Sequence, residues 1–284
     1  MRAVLFPGQG SQKKGMGQDL FDQFDSLVSQ ADQILGFSVR EVCLSDPAKK
    51  MDLTQYTQPL MFVVNAMAYA EQEKKRIPPP CFLAGHSLGE YNALAASGAI
   101  DFSTGLKLVQ KRGRLMANAK NGGMAAIIGP GPDKIRDCLE TNKMTDIEIA
   151  NFNTPSQTVV SGLRERIEAA KPLFEQMAGT RYVILKVSGA FHASFMKPAA
   201  LEFKAYLDRF SFGRPKIPVI SNVLAKPYPR DEIKALLWRQ MISPVRWMDS
   251  VRYMAGQGTT TFVETGPGRV LTRMIPPILK GRES

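Results

Sequence analysis

Ser87 lies between two glycines in the segment GHSLG at 85–89. A G-x-S-x-G segment that follows a buried strand and precedes a helix is typical of a nucleophile elbow, a sharp turn that exposes the serine hydroxyl. The glycines are needed because a Cβ at either position would clash in so tight a turn. The segment predicts nucleophilic acyl chemistry at Ser87, and an ordinary glycine-rich turn is the alternative.

A serine nucleophile requires a general base, and histidine is the usual base near neutral pH. The sequence contains only two histidines, His86 and His192. His86 is adjacent to Ser87, and neighbouring side chains on a turn project apart, so we expect His86 to brace the turn. His192 is therefore the predicted base, in a loop where an inserted domain returns to the main one.

Arg112 breaks the charge pattern of the helix predicted from 103 to 120. It lies four residues after Leu108 and three after Val109, on the apolar face. A buried guanidinium needs an anionic partner, since burying the charge alone is very costly. The partner is either an internal Asp or Glu or a substrate carboxylate, which a guanidinium binds through two parallel hydrogen bonds.

The segment GQGSQ at 8–12 follows the first predicted strand. In a parallel sheet this loop lies at the same carboxyl edge as the serine turn. The backbone N–H groups of Gln9 and Leu88 could together form an oxyanion hole for a tetrahedral intermediate. A plain turn is the alternative at 8–12.

The elements around these residues alternate between strands and helices, which predicts an α/β fold with a parallel sheet covered on both faces. Residues 123–188 instead follow a β-α-β-β-α-β order, which predicts a small ferredoxin-like inserted domain. The large α/β domain then comprises 1–122 and 189–284. The predicted strands are 3–6, 81–84, 124–128, 147–151, 158–161, 182–187, 217–220 and 260–263, and the predicted helices include 59–75, 88–97, 103–120, 133–141 and 164–177.

Composition indicates which partners and which cellular compartment to expect. Lys and Arg outnumber Asp and Glu by 37 to 26, giving a net charge of +11, which favours an anionic partner or is a basic surface without a specific role. No nucleic-acid motif, membrane span or signal peptide is recognisable, so neither nucleic acid nor membrane is expected as a partner. The three cysteines lack metal-ligand spacing, so we expect no metal site and a reducing cytoplasm.

The ordered motifs of the chain resemble those of the malonyl-CoA:acyl-carrier-protein transacylase family over nearly the whole sequence. The glycine-rich start, the serine turn, the arginine and the histidine occur in the family order. Three later motifs extend the resemblance toward the end of the sequence. The motifs are FPGQGSQ at 6–12, GHSLGE at 85–90, KRG at 111–113, AFH at 190–192, PVISN at 218–222, SPVRW at 243–247 and ETGPG at 264–268.

The resemblance implies a role for each matching residue. Ser87 matches the serine that becomes acylated, His192 the base, and Arg112 the residue that binds the free malonyl carboxylate. Gln9 and Leu88 match the oxyanion positions. Two further substrate-site positions follow from the resemblance: Gln240 matches the residue whose backbone carbonyl orients the histidine, and Phe191, with Leu88, goes with malonyl rather than methylmalonyl.

The resemblance also implies the reaction and its partners. The expected activity is transfer of a malonyl group from malonyl-CoA to an acyl carrier protein through a Ser-His dyad, with no bound cofactor. Phe191 replaces the serine common in fatty-acid-synthesis members, and AFH is similar to polyketide-synthase acyltransferases. We therefore expect a monomeric enzyme that loads polyketide carrier domains in trans. The alternatives are a fatty-acid-synthesis transacylase, a hydrolase that clears stalled acyl groups, and a non-catalytic carrier-binding module.

Overall fold

The computed structural model describes residues 1–75 and 77–280. Its elements form two sheets with helices packed against them. Within the described residues the strands are β1 (Arg2–Phe6), β2 (Phe82–Gly85), β3 (Gly122–Ile128), β4 (Glu148–Thr154), β5 (Gln157–Leu163), β6 (Arg181–Ile184), β7 (Val219–Ile220) and β8 (Thr261–Glu264). The helices are α1 (Asp25–Leu35), α2 (Val39–Leu44), α3 (Thr54–Lys74), α4 (Gly89–Ala96), α5 (Phe102–Asn118), α6 (Pro132–Thr141), α7 (Arg164–Glu175), α8 (Lys197–Leu207), α9 (Ile233–Gln240), α10 (Trp247–Gly256) and α11 (Val270–Lys280).

The first sheet is parallel, with strand order β7-β2-β1-β8. Its two central strands are short apolar runs that helices cover on both faces, so their residues are almost completely buried. Because the strands are parallel, the loops that follow β1, β2 and β7 meet at one edge. This edge carries the segment 8–12 and the serine turn, as predicted.

The second sheet is antiparallel, with strand order β4-β5-β3-β6. Its elements follow the order β3-α6-β4-β5-α7-β6, so the ferredoxin-like prediction is confirmed. The two helices cover one face, where Ile135, Ile167 and Phe174 are fully buried. The division of the chain at 122 and 189 stays a prediction, and the strands of this sheet lie between Gly122 and Ile184.

The α/β fold class is confirmed, but two helix starts differ from the prediction. Proline usually occupies the first turn of a helix, which predicts a start at Pro59. Helix α3 instead begins at Thr54, and Pro59 lies inside it at the cost of one backbone hydrogen bond. Helix α5 begins at Phe102 instead of 103, and its N-cap is Asp101, whose Oδ1 accepts the Thr104 N–H at 2.6 Å. None of the helices in the described part of the chain has the length and apolar sequence that crossing a bilayer requires.

A short backbone pairing joins the segment before α10 to the second sheet. The segment before α10 runs parallel to β4, with the Phe152 N–H donating to the Val245 carbonyl at 2.9 Å. The Val245 N–H in turn donates to the Ala150 carbonyl at 2.8 Å. The SPVRW segment at 243–247 therefore fixes the end of α9, which carries Gln240, against the second sheet.

Candidate active site

The turn between β2 and α4 holds Ser87 in the left-handed region, with φ of 51°. Such a backbone costs a non-glycine residue on the order of 1–3 kcal/mol and persists only where the surroundings enforce it. The flanking glycines allow the turn to close. A Cβ on Gly85 would lie 1.9 Å from the backbone of Gly89, and one on Gly89 would lie 2.0 Å from the Phe6 carbonyl oxygen.

The structure brings Ser87 and His192 together. Ser87 Oγ lies 2.7 Å from His192 Nε2, and His192 Nδ1 lies 2.8 Å from the backbone carbonyl oxygen of Gln240. Because a carbonyl can only accept, Nδ1 carries the imidazole proton and Nε2 accepts from the serine hydroxyl. His192 also has a positive φ, 60°. Burial, together with the nearby Arg112 charge, lowers the pKa of His192 to about 3, so the imidazole is neutral.

Arg112 is completely buried beside the serine. One terminal nitrogen, Nη2, donates to Ser87 Oγ at 3.0 Å and to the side-chain oxygen of Gln240 at 2.9 Å. The other, Nη1, donates to Gln58 Oε1 at 2.8 Å. Its guanidinium carbon lies 5.6 Å from the ring centroid of Tyr91. Burial lowers the pKa of Arg112, which shows how unfavourable this environment is for the charge.

No Asp or Glu in residues 1–75 and 77–280 forms an ion pair with Arg112. Of the two partners that the sequence left open, a direct internal carboxylate is therefore not found in the described part of the chain. A guanidinium held by neutral groups next to a nucleophile is suited to bind a carboxylate that arrives with the substrate.

Ser87, His192 and Arg112 line a cavity of about 110 Å³, together with Gln9 and Leu88. Pockets for drug-sized ligands measure roughly 300–1,000 Å³, so this cavity suits a short acyl group. In the described chain, the backbone N–H groups of Gln9 and Leu88 have no protein acceptor. Two free N–H groups beside a serine hydroxyl can bind a developing oxyanion.

Apolar side chains form most of the rest of the cavity wall, beside Gln58, His86 and Asn151. Phe191 is buried and lines it together with Met116, Met124 and Leu185. No cluster of three or more His, Cys, Asp or Glu side chains among the described residues is placed to hold a metal ion.

His86 is directed to other partners than the serine. Its Nε2 lies 2.9 Å from Asn153 Oδ1 on β4, and its ring centroid is 5.6 Å from that of Trp247. Burial lowers the pKa of His86, so this side chain is also neutral. The contacts link the serine turn to the second sheet, as expected of a residue that braces the turn.

Three residues at the site had no predicted role. Asn222 accepts the Ser87 backbone N–H at 2.7 Å, and Gln58 holds Arg112. Glu90 is buried next to both the serine turn and Gln240. Glu90 and Asn222 end two of the motifs that carry the family resemblance, GHSLGE at 85–90 and PVISN at 218–222, but no role was assigned to them; Gln58 lies outside those motifs.

Comparison with known proteins decides the family. The model of the acyl transferase domain family matches residues 4–282. The polyketide biosynthesis malonyl CoA-acyl carrier protein transacylase PksC of Bacillus subtilis (strain 168) is 48% identical over 285 residues, which cover 100% of this chain and 99% of PksC. This chain belongs to the malonyl CoA-acyl carrier protein transacylase family. The predicted family is thereby confirmed.

Solved structures of transacylases share the fold. The malonyl CoA-acyl carrier protein transacylase of Burkholderia pseudomallei superposes with a TM-score of 0.96 at 47% identity, covering 99% of this chain and 98% of that chain. Another relative is longer: the polyketide biosynthesis protein PksE of Bacillus subtilis is 49% identical over 276 residues, but the match spans 97% of this chain and 36% of PksE.

Proposed function

We propose that this transacylase transfers a malonyl group from malonyl-CoA to the phosphopantetheine thiol of an acyl carrier protein, acting in trans in polyketide biosynthesis. The observation that carries the proposal is the buried Arg112 guanidinium, which contacts the Ser87 hydroxyl and has no ion-pair partner among the described residues. The name of PksC, which matches along its whole length, supports both the reaction and the polyketide setting.

The first half-reaction acylates the serine. His192 Nε2 removes the Ser87 hydroxyl proton, and Oγ attacks the thioester carbonyl carbon of malonyl-CoA. The N–H groups of Gln9 and Leu88 hold the oxyanion. The carbon–sulfur bond then breaks, and the CoA thiolate takes the proton from His192. The products are malonyl-Ser87 and CoA.

The second half-reaction reverses these steps with a new thiol. His192 takes the proton of the carrier phosphopantetheine thiol, whose sulfur attacks the malonyl ester. The tetrahedral intermediate collapses, the carbon–oxygen bond to Ser87 breaks, and His192 returns the proton to Oγ. Gln240 orients the imidazole through its backbone carbonyl in both halves. Since no acidic side chain among the described residues hydrogen-bonds to His192, the pair acts as a dyad.

Selection of the acyl group rests on charge and on size. Arg112 anchors the malonyl carboxylate through charge-assisted hydrogen bonds. Phe191 and Leu88 line the cavity, and the family resemblance associates these two residues with malonyl rather than methylmalonyl. An acyl hydrolase has the same need for Ser87 and His192 but no need for a carboxylate clamp, so Arg112 favours transfer of malonyl.

The proposal includes the setting. We place the enzyme in the cytoplasm as a monomer that needs no bound cofactor or metal ion. The three cysteines form no disulfide, which suits a reducing compartment. Malonyl-CoA and the carrier protein are then its two substrates.

Intact-mass spectrometry tests the proposal directly. The enzyme incubated with malonyl-CoA is expected to gain one malonyl group, which Ser87→Ala abolishes and which holo carrier protein removes as malonyl-carrier. Arg112→Ala should reduce malonyl preference over acetyl by about ten-fold or more, because a hydrogen-bonded charge pair is lost. Rapid release of free malonate without carrier loading would support a hydrolase instead, and unchanged preference in Arg112→Ala would remove the carboxylate-binding role.

A further inference from the structure

Glu90 is the buried acidic residue nearest to the reacting groups. It lies in the first turn of α4, three residues after Ser87, and its side chain is completely inaccessible to solvent. Oε1 accepts the Asn222 backbone N–H at 3.0 Å and the Tyr228 hydroxyl, and Oε2 accepts the side-chain amide of Gln240. The reaction steps described above do not use this carboxylate.

The partners of Glu90 hold both sides of the strained serine. Asn222 Oδ1 accepts the Ser87 N–H at 2.7 Å, and its Nδ2 donates to the Gly85 carbonyl at 2.7 Å. Gln240 Nε2 donates to the Ser87 carbonyl at 2.9 Å. The left-handed backbone of Ser87 is thus fixed at its N–H and at its C=O by two residues that Glu90 contacts.

Glu90, together with the Ser87 carbonyl and Arg112, fixes which way the Gln240 amide faces. An ionised carboxylate can only accept, so the Gln240 NH₂ group must point toward it. The amide oxygen of Gln240 is then directed at Arg112, 2.9 Å away. A flipped amide would oppose its NH₂ group to the guanidinium, placing donor against donor. Gln240 therefore lies between Glu90 and Arg112 and contacts both. Because the carboxylate does not itself bind the guanidinium, Arg112 stays available for a substrate.

We propose that Glu90 is a positioning residue that acts through Gln240 and Asn222: it sets the Ser87 turn and keeps Arg112 oriented for the acyl carboxylate. The proposal rests on the function proposed above, in which Arg112 binds that carboxylate. Its distinctive consequence is that the ionisation of Glu90 controls the affinity for malonyl-CoA.

The surroundings of Glu90 shift the pKa of its carboxyl toward neutral pH. The titratable and charged groups that face it are Arg112 from α5, Tyr91 of α4 and Tyr228 from the segment between β7 and α9. Burial is the largest influence and raises the pKa of Glu90 to about 7, against the lowering effect of its hydrogen bonds and of Arg112. The carboxylate form, which only accepts at its two oxygens, therefore predominates above this pH; the protonated form, one of whose oxygens carries an O–H that must donate, predominates below it.

The test measures KM and kcat for malonyl-CoA and acetyl-CoA from about pH 6 to about pH 8.5, a range that spans the Glu90 transition. In the wild type, KM for malonyl-CoA should rise by up to about ten-fold as pH falls, whereas KM for acetyl-CoA, which has no carboxylate for Arg112, should stay level. Glu90→Gln is neutral throughout, so its KM for malonyl-CoA should keep the high value at every pH. Tyr228→Phe retains the carboxylate but removes one donor, which should move the step to higher pH.

Asp32→Asn is the matched control, because Asp32 is another hydrogen-bonded carboxyl with a raised pKa, caused by burial, but it lies in α1, accepts from the Val39 N–H at the start of α2 and does not line the Ser87 cavity. In this variant, KM for malonyl-CoA should change with pH as it does in the wild type. A step that persists in Glu90→Gln, or one of equal size with acetyl-CoA, would overturn the role of Glu90. Failure of the proposed function would differ, since Arg112→Ala would then keep its malonyl preference.

Discussion

The protonation state of His192 is set by where the side chain lies. A solvated imidazole is half protonated near pH 6.5 and would then lose its capacity as a base in mildly acidic solution. Burial and the Arg112 charge lower the pKa of His192 to about 3. The folded enzyme consequently holds the base neutral, with the proton on Nδ1 facing Gln240.

A pH profile of kcat checks this assignment. At saturating malonyl-CoA, kcat should change less than two-fold between about pH 8 and about pH 5.5, whereas an ordinary imidazole would be roughly ten-fold less available as a base at the lower pH. The measurement is stopped-flow release of CoA, with enzyme integrity followed by circular dichroism at each pH. A ten-fold fall in kcat that persists in Glu90→Gln, with the fold intact, would show that His192 titrates normally.

Residue types allowed part of the site to be predicted from the sequence. Ser87 is marked by its flanking glycines, His192 by the scarcity of histidine, and Arg112 by its position on an apolar helix face. Glu90 and Asn222 acquire their roles only when α4 and the end of β7 meet around the serine. Contacts between residues so far apart along the chain produce no regular spacing that a sequence pattern could reveal.

At the scale of the element, the serine turn depends on close backbone contact. A Cβ on Gly89 would lie 2.0 Å from the Phe6 carbonyl oxygen, which belongs to the central strand β1. The Phe6 carbonyl cannot move away from Gly89 without disturbing the sheet. The two glycines therefore control how closely α4 approaches the sheet and where the hydroxyl stands.

Gly89→Ala should lower the free energy of unfolding by at least about 1–3 kcal/mol and abolish serine acylation, because the added methyl overpacks a rigid contact. Urea denaturation and intact-mass analysis provide the two measurements. Gly213→Ala is the matched control: its Cβ would lie 3.6 Å from the nearest atom, so stability and acylation should change little. Wild-type stability in Gly89→Ala would mean that α4 can shift freely.

Element prediction succeeded where periodicity and turn residues agree. The β-α-β-β-α-β order was predictable because glycine and polar residues separate its apolar runs. The start of α3 was not, since Pro59 is tolerated inside the helix by tertiary packing that a local pattern does not contain. Helices α1 and α2 were not predicted; α2 has only six residues, too few for a clear helical periodicity.

At the scale of the whole molecule, the net charge of +11 gives the enzyme a surplus of positive surface. Long-range attraction of this kind speeds encounter with anionic partners and weakens as salt screens it. CoA phosphates and an acidic carrier protein are both anionic, so the charge suits either substrate.

Salt should therefore raise KM for the holo carrier protein several-fold between about 0.1 and about 1 M NaCl, where the Debye length falls from about 10 to about 3 Å. The expected kcat at saturating carrier is unchanged, because the buried dyad is shielded from solvent ions. Steady-state kinetics at fixed malonyl-CoA gives both constants. If KM for the carrier protein does not change with salt, the surplus positive charge has no part in carrier binding.

The parallel sheet has a consequence for how the chain is made. β1 lies between β2 and β8, and Arg2 pairs with Thr261, 259 positions later. A ribosome that adds about 5–20 residues per second needs roughly 10–50 s to synthesise the chain between them. During that time the apolar strand β1 presents an unpaired edge, which is a template for aggregation. The sheet that carries the serine turn can therefore be completed only after translation has delivered β8.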